Sequence, residues 1–198
     1  MQGIIQSSIQ TRMEGLHIVM GYMMVPLIQK KNSPDPVNGS KLPLAEVRNE
    51  VATAVGNNYS DMVPSGDWGP RPSIDTPQGA TIDGHNGMDF VAKEGTRVNS
   101  VMDGTVVYTD SAGTDGSGYG KYTVIKNKNG THSLYGHQNL VDVNKGEQVK
   151  AGQMIGTVGS TGKSTGPHLH LGFDGNGDGK FSRVQKFDDP ARLLYSGE

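Results

Sequence analysis

The chain has 198 residues, a net charge of −2 at pH 7 and no cysteine. That length suits one domain with room for an appendage, and a core that needs no staples. Near-neutral charge with dispersed basic residues disfavours nucleic-acid binding, and the missing thiols exclude disulfides, a cysteine nucleophile and thiolate metal ligands.

Ile5, Ile9, Met13, Leu16, Met20, Met23 and Leu27 recur at spacings of three and four, which predicts an amphipathic helix that Pro26 ends or kinks. The apolar run from Ile18 to Ile28 is too short for a transmembrane span. The first residues also lack the charge and cleavage site of a signal peptide. The stripe reads as a packing face, used within the protein, in an oligomer, or in an assembly such as a virion through residues 1–30. A membrane-surface contact is the weaker reading, and His17 beside the stripe is expected to serve surface or packing. Residues 31–41 are a linker by composition. Leu44, Val47, Val51 and Val55 then predict a second short helix, closed by Gly56-Asn57-Asn58. Residues 1–60 therefore form a helical and linker region, and 61–198 a second unit.

From about residue 64 the hydrophobic period changes to two. Val98, Ser100 and Met102 alternate with their neighbours, and Asp103-Gly104 turns the chain before Thr105 to Tyr108. Tyr122 to Ile125 runs into Asn129-Gly130, a strong hairpin signal, and returns as His132 to His137. Met154 to Val158 and Leu169 to Phe173 complete at least six strands at close spacing. With 29 glycines and 33% hydrophobic residues, the composition suits short strands and tight turns. The expected fold is mainly β, an antiparallel β-sandwich or open barrel with a small N-terminal helical region.

Three segments carry chemistry. In Gly166-Pro167-His168-Leu169-His170 the imidazoles share one face of an extended strand, since residues two apart project to the same side. Pro167 cannot donate to a sheet, so it marks the strand's start and sets the pair at a rim where a cleft can open. In His85-Asn86-Gly87-Met88-Asp89 the imidazole and the carboxylate share a side, and Gly84 and Gly87 let the chain bend around an ion. Two imidazoles and one carboxylate are the donor set of a catalytic zinc with its fourth position open. The plainer reading of each segment alone is a hydrogen-bonded loop pair or satisfied buried histidines. Between them, Leu134-Tyr135-Gly136-His137 ends an expected strand. Regular alternation puts His137 on the face of Ser133 and Tyr135, and His132 on the opposite face in an exposed role. Asp174, Asn176 and Asp178 place oxygens as a calcium loop begins. The twelfth position is Gln185 and no helix precedes, so a solvent-facing turn is favoured over calcium.

The combination resembles the lysostaphin-like, LytM-type zinc endopeptidases, which cut peptides of bacterial cell-wall peptidoglycan. His85 and Asp89 match the first metal motif, His168 and His170 the closing His-x-His, and His137 the lone histidine of the middle motif. Trp68-Gly69-Pro70-Arg71, Asp103 to Val107, Ala151 to Gly156 and Asp189-Pro190 match further, so the resemblance covers about residues 64–195. It implies a β fold of the duplicated hybrid motif type, zinc held by His85, Asp89 and His170, and His137 with His168 as the acid–base pair. It also implies a stem-peptide or cross-bridge substrate on the extracellular or periplasmic side. With no export signal visible, phage release or carriage on a virion is an expected route. The alternative is a catalytically inactive wall-binding or scaffold protein of the same fold. Relatives of that kind have lost ligands or catalytic histidines, whereas here every matching position is filled.

Overall fold

The computed structural model describes residues 51–181 apart from 57–60, 67–68, 70–71, 82–83, 176 and 180. The methionine-rich stripe, the linker, His17, Leu44, Val47, Trp68, Arg71 and Asp189-Pro190 lie outside the described residues. Residues 51–56 are helical, and Val51, Ala52 and Val55 are fully buried in the same cluster as the strands that follow.

Nine strands follow in order: β1 (Val63–Gly66), β2 (Gly87–Val91), β3 (Arg97–Asn99), β4 (Gly104–Asp110), β5 (Lys121–Asn127), β6 (His132–Val141), β7 (Gln148–Val149), β8 (Met154–Val158) and β9 (His168–Asp174). Every pairing is antiparallel, in the order β1-β2-β9-β6-β5-β4-β7. The long β6 branches the sheet. Its first half, His132 to Gly136, pairs with β9, and its second half, Gln138 to Val141, pairs with β8, which also carries β3. The mainly antiparallel β architecture matches the sequence expectation, as does the start of β9 immediately after Pro167. The β5–β6 hairpin closes over 128–130, with Asn127 N–H donating to the Thr131 carbonyl at 2.8 Å and Gly130 at φ +87. A glycine meets that left-handed backbone at no steric cost.

Alternation divides the sheet into two faces. Met88 and Phe90 of β2, Ile125 of β5, Tyr135 of β6 and Leu169, Leu171 and Phe173 of β9 fill one core. The opposite face carries Asp89, Leu134, His168 and His170, with a smaller cluster of Tyr122, Val124 and Leu134 packed by Tyr119 and Phe181. Burying the first set supplies most of the drive to fold, at roughly 1.5–3 kcal/mol per large apolar side chain.

Two expectations for β6 need correction. The strand does not end at His137 but continues to Val141. The β5–β6 register shifts between Lys121↔Gln138 and Thr123↔Tyr135, so Gly136 and His137 together oppose Tyr122. His137 takes φ +58, the only non-glycine residue with positive φ among those described. This bulge turns its side chain away from the core face of Ser133 and Tyr135, where regular alternation would have buried it. His132 is likewise not exposed: it is 7% accessible, and its Nδ1 lies 3.2 Å from Oδ2 of Asp174, its register partner. The turn after β9 covers it, because Asp174 folds inward to accept Gly177 N–H at 3.2 Å and Gly179 N–H at 2.7 Å. With those oxygens engaged, Asp174 behaves as a turn cap, and the calcium reading gains no support. Asn176 lies outside the described residues, and Asp178 is exposed.

Candidate functional site

The β2–β9 ladder sets Asp89 directly opposite His170, and Val91 opposite His168. Directly opposed residues of an antiparallel pair share a face. His85 arrives from the segment before β2, where it exchanges both backbone hydrogen bonds with Gly69 at 2.9 and 2.8 Å. Gly69 is the described residue of the Trp-Gly-Pro-Arg segment, so that segment helps to fix His85.

These three side chains converge. His85 Nε2 to Asp89 Oδ1, His85 Nε2 to His170 Nδ1 and His170 Nδ1 to Asp89 Oδ1 are each 3.0 Å. Hydrogen bonding alone cannot satisfy the triangle. Each ring nitrogen carries at most one proton and an ionised carboxylate none, so two protons at most serve three contacts. A cation satisfies all three at once. Ligand atoms about 2.0–2.2 Å from one tetrahedral ion stand roughly 3.3 Å apart, so the triangle is of the right size. The donor set therefore fits a divalent metal such as zinc.

The electrostatics agree. Burial raises the Asp89 carboxyl, but hydrogen bonds from His170 and His85, with their charges, override it and hold the group well below the usual carboxylate range. Burial pushes the His170 imidazole down. An ionised carboxylate beside a neutral imidazole is the protonation state a metal needs.

Two more imidazoles border the triangle. His137 Nδ1–H donates to the Thr161 carbonyl at 2.7 Å, and His168 Nδ1–H donates to the Gly166 carbonyl at 2.7 Å with Ser164 Oγ at 3.2 Å. A neutral imidazole whose Nδ1 carries the proton presents Nε2 as an acceptor. The rings lie 4.6 Å apart between centroids, and His168 Nε2 is 3.8 Å from Asp89 Oδ1. Burial, with the His170 and His168 imidazoles adding to it, pushes His137 down to about 3. All five residues singled out from the sequence thus line one groove of about 520 Å³.

Sequence reasoning missed a glycine that makes room for the carboxylate. A Cβ on Gly66 would lie 2.9 Å from Asp89 Oδ2 and 3.2 Å from the Asp89 Cβ. Its signal is position, since Gly66 is the register partner of Asp89. Also missed was the groove wall at Tyr119, whose hydroxyl accepts from the Asn86 amide and whose ring lies 5.4 Å from that of His170.

The model of Peptidase family M23 matches residues 83–180, the span that holds every one of these side chains. The DD-carboxypeptidase/endopeptidase Mpg of Neisseria meningitidis is 42% identical over 86 residues, 43% of this chain and 19% of that protein. The peptidoglycan DD-endopeptidase ShyA of Vibrio cholerae is 43% identical over 86 residues, again 43% of this chain and 19% of that protein. The chain thus matches only about a fifth of the length of these curated relatives. Among solved structures, a mutant catalytic domain of the prophage-encoded M23 protein EnpA from Enterococcus faecalis superposes with a TM-score of 0.51 at 34% identity. That match covers 61% of this chain and 87% of EnpA's domain. An antiparallel β fold with a His-Asp-His cluster in its groove defines the class, and the chain belongs to peptidase family M23.

Proposed function

We propose that this protein is a zinc-dependent endopeptidase that hydrolyses peptide bonds of bacterial peptidoglycan, in the stem peptide or the cross-bridge. The observation that carries the reading is the 3.0 Å triangle of His85, Asp89 and His170 with two further Nε2 acceptors beside it. His85 Nε2, Asp89 Oδ1 and His170 Nδ1 would hold the metal. When bound, zinc supplies Lewis-acid polarisation of a carbonyl and makes water a nucleophile near neutral pH. The chain's own groups move the proton: Nε2 of His137 or His168 takes it from the attacking water and returns it to the leaving amine. Both rings are pre-oriented, because their Nδ1–H groups are held by backbone carbonyls.

The named activity of the Vibrio relative, a peptidoglycan DD-endopeptidase, supports a wall-peptide substrate, which the protein would meet on the extracellular or periplasmic side. EnpA's prophage origin supports phage release as one route to that substrate. A scaffold role is disfavoured, since neither a ligand nor an acid–base position is lost. The test is zinc content by mass spectrometry, paired with mass analysis of fragments released from purified walls. Stoichiometric zinc and new amino termini at one bond type are expected. Zinc-loaded protein that releases none would refute the reading.

A further inference from the structure

Thr161 touches both flanks of the β6 bulge. Its carbonyl accepts His137 Nδ1–H at 2.7 Å, while its hydroxyl accepts Lys121 N–H at 2.9 Å and donates to the Gln138 carbonyl at 2.9 Å. Lys121 and Gln138 are the register partners beside the shift. One hydroxyl thus bridges the two strands where they fall out of step. Gly120 and Gly162 permit that approach: a Cβ on Gly120 would lie 2.3 Å from the Thr161 carbonyl carbon, and one on Gly162 2.3 Å from Gly120 N.

A non-glycine residue in the left-handed region costs about 1–2 kcal/mol, so His137 keeps φ +58 only if its surroundings impose it. His137 N–H is fixed on the Tyr119 carbonyl at 2.8 Å, and the Thr161 hydroxyl holds the residues on both flanks, Lys121 and Gln138. We propose that Thr161 is the positioning residue for His137: its hydroxyl holds the bulge that turns the imidazole into the groove, and its carbonyl selects the tautomer that leaves Nε2 as acceptor. This rests on the reading of His137 as a proton-transfer group. Without the hydroxyl, Lys121 N–H and Gln138 C=O must find new partners. The strands then relax toward regular register, and His137 turns back toward the core face.

The test compares Thr161→Val, Thr161→Ala and Thr161→Ser in the full chain. Ring nitrogen-15 NMR of the metal-free protein reports the His137 tautomer, and kcat and KM are measured on purified walls with zinc bound. The wild type and Thr161→Ser should hold the Nδ1–H tautomer, whereas Thr161→Val and Thr161→Ala should populate Nε2–H. The latter two should lose about 10²-fold in kcat with KM little changed, and Thr161→Ser should stay within about threefold of wild type. Thr161→Ala removes the hydroxyl without crowding and decides the matter if Thr161→Val does not fold. A merely structural role would lower stability without moving the tautomer. Folded Val or Ala variants with the wild-type tautomer and kcat would overturn the proposal and leave the hydrolase reading intact. An inactive wild type whose tautomer still responds to Thr161 would sink that reading and keep the positioning role.

Discussion

Gly87 passes over the His170 ring with no room for a side chain: a Cβ there would lie 2.8 Å from both Cε1 and Nε2, and 2.4 Å from the Leu171 carbonyl. Gly87 begins β2 and pairs with Gly172, two residues before the Asp89–His170 pair. A methyl group must therefore push β2 off β9 or rotate the imidazole, and either movement opens the triangle. Gly87→Ala is expected to lose stoichiometric zinc and about 1–3 kcal/mol of stability to overpacking, read by metal analysis and urea unfolding. Retention of one zinc with wild-type stability would show that the close approach does not exist in solution.

The five site residues divide into two roles that metal analysis separates. Asp89→Ala removes the anion that both imidazoles share and should release zinc, with hydrolysis lost in consequence. His168→Ala leaves the 3.0 Å triangle untouched and should retain zinc while kcat falls about 10²- to 10⁴-fold, the usual worth of a positioned acid–base group. A zinc-replete Asp89→Ala protein, or a His168→Ala protein that lyses walls at the wild-type rate, contradicts the assignment.

What could be read from the chain was local. Alternation put His168 and His170 on one face, Pro167 marked where β9 begins, and Asn129-Gly130 marked the β5–β6 turn. The pairing of β2 with β9 joins segments 81 residues apart, and no local pattern states that register. The resemblance supplied the convergence that spacing could not. The His137 bulge was illegible for a different reason. Left-handed backbone usually advertises itself as glycine, and here the residue that adopts it is a histidine beside Gly136. His132 was misjudged because its burial comes from the turn that Asp174 caps, an interaction set by tertiary packing.

The bulge makes a prediction that inverts a common preference. In ordinary strand backbone, glycine is less stable than alanine by roughly 0.5–1 kcal/mol. At φ +58 the order should reverse, so that His137→Gly is more stable than His137→Ala by about 1 kcal/mol in urea unfolding. Both variants lose the ring and its bond to Thr161, which cancels in the comparison. An alanine variant more stable than the glycine variant would mean that the backbone at 137 is not left-handed.

The buried imidazoles also set how the metal-free protein responds to acid. His137 is pushed down to about 3 and His170 is lowered, burial being the largest cause for each. In the unfolded chain both titrate near 6.5. Between those values the unfolded state binds protons that the folded state refuses, so stability must rise with pH there. Seen from the other direction, stability falls as pH drops from about 6.5 toward 3, by an amount on the order of a few kcal/mol. Asp89, held low, acts in a separate window, because its contribution disappears only as pH falls below the ordinary carboxylate range. Urea midpoints of chelator-treated protein from pH 7.5 to 4 should therefore decline well before carboxylates titrate, and His137→Gln should flatten that decline. A profile flat to pH 5 in the wild type would mean that these rings are not buried as neutral groups.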